Sequence, residues 1–393
     1  MNIWLFDLDG VLVHPGGYRE ALRRTVAHFS RRAGYPDSPL AESVIEAFEA
    51  HGITCEWDIA GICLMAEVLD AWRADPSLRL PADLDGCLQA IRESGVPRRQ
   101  PDFARWARLA GAMGGETPSE SSVRLFAQEA GHTDAETARL DEFRAVLKAV
   151  LGHPREFARS PVMRFFQQYT LGSRAYAEHY RTEPAIDTPS LLAERDRPGL
   201  SEGPRDRILQ SVREGDIRAA VITARPCRPQ SAADDLTDYP PEAEIALEVA
   251  GVKALPLAGA GHMQWLARRH GQAVDGYLKP SPVHSLAAIA FALGSGEVDA
   301  LEAARSFVEE GQLLPALADL KTEPSTVTVF EDSPTGVIGT QSAVDLLRRA
   351  RIDIRLRIFG VASGEEKRAA LESLGAGVFA TTDEALEAAW KED

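Results

Sequence analysis

Residues 3–12 read IWLFDLDGVL, a short apolar and aromatic run that is broken by two acidic residues and a glycine. This pattern predicts a buried strand over residues 2–6. Asp7 and Asp9 then lie beyond the carboxyl end of a strand, where open α/β sheets bind ligands. Two carboxylates about 4 Å apart repel by roughly 4 kcal/mol at an effective dielectric of about 20. The pair needs a cation, a shared proton or a wide separation, and we expect a metal-assisted site.

The chain has 393 residues, of which 45% are hydrophobic, and this size suits two domains or one domain with a large insertion. The net charge of -16 argues against binding to nucleic acid or to an acidic membrane surface. The chain shows neither a signal peptide nor an apolar run long enough to span a bilayer. The four cysteines lack metal-ligand spacing and are expected to be free thiols in a reducing compartment. These features predict a cytoplasmic protein and leave its oligomeric state open, a homo-oligomer included.

Two kinds of pattern divide the chain. Residues 14–202 have apolar residues at helical spacing and no convincing strand alternation. After residue 203, helical stretches alternate with predicted strands over 217–222, 252–257, 274–278, 326–330, 352–358 and 378–380. Such alternation predicts an α/β fold with a doubly wound, mainly parallel sheet. We therefore expect a core of residues 1–13 and 203–393, with residues 14–202 inserted as a large helical domain after strand 1.

Three of the later predicted strands end on polar residues. They lead, in chain order, into Thr223-Ala224-Arg225-Pro226, Lys279-Pro280-Ser281-Pro282 and Glu331-Asp332-Ser333-Pro334. Taken singly, an acid after a strand is often only a turn former or a helix cap, and a lone lysine is usually a solvated charge. Ser333 followed by a proline is best explained as the cap of the next helix. The joint occurrence of these segments in this order favours one shared crevice.

The order of the four motifs resembles that of the haloacid dehalogenase-like superfamily of phosphotransferases. FDLDGVL at 6–12 is similar to the usual first motif of the family, and VFEDSPTG at 329–336 resembles the fourth motif of its phosphatase and β-phosphoglucomutase-like branch. Thr223 and the segment that starts at Lys279 match the second and third motifs. The resemblance covers strand 1 and residues 203–393. It implies a haloacid dehalogenase-like core and an enlarged helical cap of the C1 type.

The resemblance also implies a reaction. Asp7 would attack phosphorus and form an aspartyl phosphate, and Asp9 would act as general acid and base. The implied cofactor is Mg²⁺, held by Asp7, the backbone carbonyl of Asp9, Asp332, and Glu331 either directly or through water. Family members that dehalogenate lack the second acid, and the ion pumps have threonine there. Asp9 therefore favours phosphatase or phosphomutase chemistry.

The other motif residues are implied to bind the phosphate. Thr223 would donate a hydrogen bond to a phosphoryl oxygen, and Lys279 would place a positive charge beside the nucleophile and the phosphate. Backbone N–H groups near Leu8 and Ala224 could complete the cradle. Arg225 could contact substrate, although a solvated arginine in a turn is the better explanation, because most charged residues are exposed.

The leading hypothesis is a hydrolase, a Mg²⁺-dependent phosphatase that acts on a small phosphorylated metabolite. Two alternatives stay open. A phosphomutase would share every core residue and pass the phosphoryl group to a sugar instead of water. A non-catalytic binding or regulatory protein could keep the fold and use the helices as an interaction surface, although the intact set of acids argues against it.

Overall fold

The computed structural model describes residues 1–36, 40–113, 117–132, 137–154, 156–232 and 236–392. The chain divides into two compact units. Met1–Gly16 and Arg195–Asp393 form the first, which we call the α/β unit. Gly17–Glu194 forms the second, which we call the helical unit.

The strands and helices are numbered along the chain. The strands are β1 (Asn2–Asp7), β2 (Val13–His14), β3 (Arg197–Pro198), β4 (Arg218–Ile222), β5 (Leu257–Ala258), β6 (Ser325–Glu331), β7 (Ile354–Val361) and β8 (Gly377–Phe379). The helices are α1 (Gly17–Arg32), α2 (Glu42–Ala50), α3 (Glu56–Ala74), α4 (Leu84–Glu93), α5 (Phe103–Ala112), α6 (Pro118–Gly131), α7 (Thr137–Leu151), α8 (Pro161–Tyr180), α9 (Leu191–Arg195), α10 (Glu202–Glu214), α11 (Glu242–Ala250), α12 (Ala260–His270), α13 (Pro282–Ala292), α14 (Glu297–Glu310), α15 (Pro315–Ala318), α16 (Pro334–Arg349), α17 (Glu365–Ser373) and α18 (Thr382–Glu392).

Six strands of the α/β unit form one sheet in the order β5-β4-β1-β6-β7-β8, and all of its pairings are parallel. The first strand lies inside the sheet, with Leu5 opposite Ala220 of β4 and Val329 of β6. The two short strands β2 and β3 pair separately and antiparallel. The carboxyl ends of β1, β4 and β6 therefore lie side by side at one edge of the sheet.

Side chains of β1 alternate between two hydrophobic clusters. Ile3 and Leu5 pack with residues of α12, α13, α14 and α16, whereas Trp4 and Phe6 pack with residues of α10, α11 and α18. Because successive side chains of a strand point to opposite faces, helices must cover the sheet on both sides. The predicted fold class, α/β with a doubly wound, mainly parallel sheet and a helical region, is confirmed.

The strand predicted over 252–257 is mostly wrong, since only Leu257 and Ala258 pair with β4. Helix α11 ends at Ala250 and is followed by Gly251, which has a φ of +70°, and Val252 N–H donates back to the Leu247 carbonyl oxygen at 3.0 Å. Val252 and Leu255 thus pack in one hydrophobic cluster with Leu247 and Ala250 of the helix, and such a contact commonly accompanies a left-handed cap.

The strand predicted over 274–278 is also wrong. Val274–Gly276 forms a 3-10 turn, and the Val274 carbonyl oxygen accepts from Tyr277 N–H and Leu278 N–H at 2.9 and 3.1 Å. The apolar residues of this segment pack on the cluster around α13, but their backbone groups bond locally instead of to a neighbouring strand. Lys279 therefore follows a turn rather than the end of a strand.

In the helical unit, α3 is buried along most of its length. It packs against α1, α5, α6, α7 and α8. A helix that is buried on most sides belongs to the interior of a bundle, and Ile59, Leu69 and Trp72 are part of the hydrophobic core of this unit. None of the described helices is long and apolar enough to cross a membrane. All four cysteines are free, as expected.

Candidate active site

Four motif residues meet at the shared edge of the sheet. Asp7 is the last residue of β1, Glu331 is the last residue of β6, and Asp332 follows it. Thr223 comes directly after β4, whose Ile222 lies opposite Asp7. Because the three strands are parallel neighbours, their register alone brings these residues to one place.

Lys279 joins this group although no strand precedes it. Its Nζ donates to Asp7 Oδ1 at 2.8 Å and to Glu331 Oε1 at 2.5 Å, and its side chain is 8% exposed. The turn before α13 places it there: Ser281 N–H donates to the Leu278 carbonyl oxygen at 2.7 Å. A buried ammonium group thus lies between two buried carboxylates.

Three carboxylates form a cluster that could hold a metal ion. Asp7, Glu331 and Asp332 each offer an oxygen atom, and these atoms lie within 4.8 Å of one another. Oxygen-only donors suit Mg²⁺, which is usually bound through one or two carboxylates and the phosphates of a substrate. The residues present therefore fit the expected ion.

Two glycines make room for these acids. Gly10 has a φ of +76°, and a Cβ atom there would lie 2.1 Å from Asp332 Oδ2. A Cβ atom at Gly336 would lie 1.6 Å from Glu331 Oε1. Glu331 is also fixed through Oε2, which accepts from the backbone N–H groups of Asp332 and Ser333 at 3.2 Å. The backbone thus approaches the carboxylates more closely than any side chain would allow.

The carboxylates of Asp7, Glu331 and Asp332 together hold more negative charge than Lys279 neutralises. Burial, and then the Glu331 carboxylate, raise the pKa of Asp7 to about 7 against the opposing effect of Lys279. Burial also raises the pKa of Asp332 to about 6, and the charge of Asp7 acts in the same direction. Burial alone would lower the pKa of Lys279, but the carboxylates of Asp7 and Glu331 outweigh it and raise that pKa. A bound cation would relieve this repulsion.

Asp9 lies outside the carboxylate cluster and is held by an arginine. Arg225 Nε donates to Asp9 Oδ1 and Oδ2 at 3.1 and 2.9 Å, and Arg225 Nη2 donates to Asp9 Oδ1 at 2.5 Å. Arg225 Nη1 donates to Asp196 Oδ2 at 2.8 Å. Arg225 is 3% exposed, so it is not the solvated turn residue of the alternative interpretation. Its contact with substrate stays a prediction.

The remaining predicted residues lie beside this arrangement. Thr223 is buried, and its hydroxyl oxygen accepts from the Arg225 backbone N–H at 3.0 Å. Ala224 is exposed at the same loop. Ser333 caps α16 by accepting from Gly336 N–H at 3.4 Å, with proline at the first helical position, as predicted.

Two charged residues at the site were missed in the sequence. Lys367 on α17 donates from Nζ to Asp332 Oδ2, and Asp196, which is 2% exposed, binds Arg225. Neither belongs to a motif. Asp196 directly precedes Arg197-Pro198-Gly199, a segment of helix-breaking residues where the chain returns to the α/β unit, and this position indicates nothing about the role of the acid. Lys367 lies in an ordinary amphipathic helix, where a lysine is typical of a solvated face.

No model of a known protein family matches the chain, and no curated protein matches it. Two solved structures are similar. An X-ray structure of the Northeast Structural Genomics Consortium, target ZR25, is 14% identical with a TM-score of 0.63, over 98% of this chain and 97% of that one. Phosphatase Tt82 from Thermococcus thioreducens is 16% identical with a TM-score of 0.41, over 96% of this chain and 100% of that one. The first similarity shows a shared fold, and the second is too distant to carry a functional argument.

Proposed function

We propose that the protein is a Mg²⁺-dependent hydrolase of phosphate monoesters that acts on a small phosphorylated metabolite. The observation that supports this proposal best is the ion pair between Lys279 and Asp7, which lie 272 positions apart, beside two further acids. Phosphoryl transfer needs an in-line nucleophile and charge neutralisation, and little further covalent chemistry. A buried nucleophilic carboxylate, a buried ammonium and an oxygen-only metal site supply these parts.

The proposed reaction has two steps, in which Asp7 is the nucleophile and Asp9 is the general acid and base. In the first, an Asp7 carboxylate oxygen forms a bond to phosphorus, the bond from phosphorus to the ester oxygen breaks, and Asp9 gives the leaving oxygen its proton. In the second, water attacks phosphorus, Asp9 takes a proton from the water, and the bond between Asp7 and phosphorus breaks. The products are the alcohol and inorganic phosphate, and both aspartates return to their starting state.

The other residues of the site would bind the phosphoryl group or the metal ion. Lys279 lies close enough to Asp7 to contact a phosphoryl group transferred to it, and the Thr223 hydroxyl would donate to a phosphoryl oxygen. Asp7, the Asp9 backbone carbonyl, Glu331 and Asp332 would hold Mg²⁺. When bound, the ion would lower the repulsion between the anionic carboxylate and the anionic phosphate.

We propose that the helical unit is a cap of the C1 type. The chain leaves the α/β unit after Gly16, soon after the first motif, and returns at Arg195. Caps inserted at this point supply substrate contacts and exclude water from the reaction. The substrate preference would then be set by helices rather than by the four motifs.

A screen of phosphorylated metabolites tests this function. We expect release of inorganic phosphate from at least one compound with Mg²⁺ and none after the ion is removed with EDTA. Asp7→Asn should abolish turnover without changing the circular dichroism spectrum, whereas Asp345→Asn, an exposed acid on α16, should leave turnover unchanged. Full turnover by Asp7→Asn, or no hydrolysis across a broad panel, would show that the proposed function is wrong.

A further inference from the structure

We infer that Asp196 is a positioning residue for the reaction, because it holds Arg225 and Arg225 in turn holds Asp9. This inference rests on the proposed function, since it gives Asp196 a purpose only if Asp9 takes part in catalysis. Arg225 donates to both carboxylate oxygens of Asp9 on one side and to Asp196 Oδ2 on the other. We call this arrangement the Asp196–Arg225–Asp9 relay.

Two of the three side chains of the relay are buried. The Arg225 side chain is 2% exposed and that of Asp196 is 0% exposed, whereas that of Asp9 is 34% exposed. An arginine stays charged in proteins, and a buried charge must be paired. Its planar fork binds a carboxylate through two parallel N–H donors, which adds geometric specificity to the pair. Asp9, which faces solvent on one side, therefore takes its orientation from the buried residues behind it.

The backbone around the relay is fixed at both ends. The Arg225 N–H donates to Thr223 Oγ1, and the Arg225 carbonyl oxygen accepts from Ala260 N–H, both at 3.0 Å. Asp196 directly precedes β3, which pairs with β2, and Asp9 forms a bridge with Val13 of β2. Asp9 and Asp196 thus belong to segments tied to the same short ladder. Asp9 is therefore held twice, through the bridge between its backbone and Val13 and through the hydrogen bonds from Arg225 to its carboxylate.

The contacts distinguish positioning from a direct role. Asp196 binds the arginine and has no exposed side chain with which to meet a substrate. Its removal should therefore leave substrate affinity intact and slow the steps in which Asp9 moves a proton. Groups that orient the ligands of a metal ion from outside typically contribute about 10–100-fold, and we expect an effect of similar size for a group that orients Asp9. A role in stability alone would lower the amount of folded protein and leave the turnover of the folded fraction unchanged.

Steady-state hydrolysis of p-nitrophenyl phosphate with saturating Mg²⁺ separates these roles. Asp196→Asn keeps the shape of the side chain and removes its charge, and Arg225→Lys keeps the charge and loses the fork. We expect both variants to lower kcat by about 10–100-fold and to change KM by less than about threefold. Arg225→Ala should regain part of its kcat when guanidinium ion is added. The matched control is Arg305→Gln, an arginine of α14 that binds Glu302, Glu309 and Glu310 and should keep the kcat of the wild type.

The outcomes are distinct. A kcat of Asp196→Asn within about twofold of the wild type, or above it, would overturn the inference while the proposed function stands. Should Asp196→Asn not fold, Arg225→Ala decides the question, because absence of rescue by guanidinium would overturn the relay. A wild-type protein without Mg²⁺-dependent hydrolysis of any ester would instead refute the proposed function, and the relay would fall with it.

Discussion

Glu67→Gln tests how strongly one buried carboxylate couples the stability of the protein to pH. Glu67 lies on α3 and is 1% exposed. Its Oε1 accepts from Ser30 Oγ at 2.6 Å, and its Oε2 has no hydrogen-bond partner in the described ranges. Burial raises the pKa of Glu67 from 4.5 to about 8, which the hydrogen bond from Ser30 opposes and the charge of Asp70 supports. The folded protein therefore keeps this group protonated at neutral pH.

The sign of the effect follows from proton uptake. Between about pH 4.5 and about pH 8 the folded state holds a proton that the unfolded chain has lost, so the free energy of unfolding falls as pH rises through this window. The two pKa values differ by about 3.5, and about 1.36 kcal/mol per pH unit gives roughly 5 kcal/mol as an upper limit. Glutamine keeps the Oε1 acceptor and cannot titrate. Glu67→Gln should therefore lose this dependence on pH.

Urea unfolding followed by circular dichroism at about pH 5 and about pH 8.5 measures the effect. We expect the variant to match the wild type at the lower pH and to be several kcal/mol more stable at the higher pH. Other titrating groups are common to both proteins, so they cancel in the difference. Glu93→Gln, which changes an exposed carboxylate of α4, is the control and should follow the wild type at both values. The reasoning would be refuted if the difference in free energy of unfolding between Glu67→Gln and the wild type changed by less than about 1 kcal/mol between these two pH values.

Three further predictions concern the candidate site. Lys279→Met leaves two buried carboxylates without their cation and should lower the free energy of unfolding by about 3–5 kcal/mol, as urea unfolding would measure; a loss under about 1 kcal/mol would contradict the buried pairs. Added Mg²⁺ should raise the thermal midpoint of this variant more than that of the wild type, because the ion and Lys279 neutralise the same carboxylates. An equal rise in both proteins would contradict this reasoning. Gly336→Ala forces its Cβ against Glu331 and should cost about 1–3 kcal/mol of stability and weaken Mg²⁺ binding in calorimetry. Gly203→Ala, with nothing within 4 Å, should cause neither loss, and equal losses would mean that the crowding is not specific.

The sequence predicted β1 and β6 correctly, because their short apolar runs favour buried strands and the fold places them inside the sheet. β1 and β6 are buried on both faces, and a short apolar run is typical of such strands. The acids that follow them lie together because parallel neighbours end at the same edge. Ser333 was predicted from a local interaction, since a cap depends on residues only a few positions away.

The two wrong strand predictions concern apolar segments that pack on the core without pairing as strands over most of their length. Val252, Leu255 and Tyr277 are buried, as their hydrophobicity indicates, but a helix C-terminal turn and a 3-10 turn satisfy backbone groups of these segments. Periodicity in so few residues cannot distinguish these cases. The position of Lys279 was nevertheless predicted from the order of motifs, since the turn delivers it to the same edge of the sheet.

The relay could not be predicted from local patterns. Arg225 and Asp196 are 29 positions apart, and the bond between them depends on how the returning segment passes the loop after β4. A charged residue in a loop is usually solvated, so the sequence around Arg225 and Asp196 favours an exposed position for each of them, whereas both are buried. Only the tertiary structure shows that the pair is buried.

The most direct test of the central claim is a crystal structure with Mg²⁺ and beryllium fluoride, which imitates a phosphoryl group on an aspartate. We expect the fluoride complex on an Asp7 carboxylate oxygen, contacted by Lys279, with Mg²⁺ bound by Asp7 and Asp332. Beryllium fluoride bound elsewhere, or Mg²⁺ bound away from these two acids, would contradict the account.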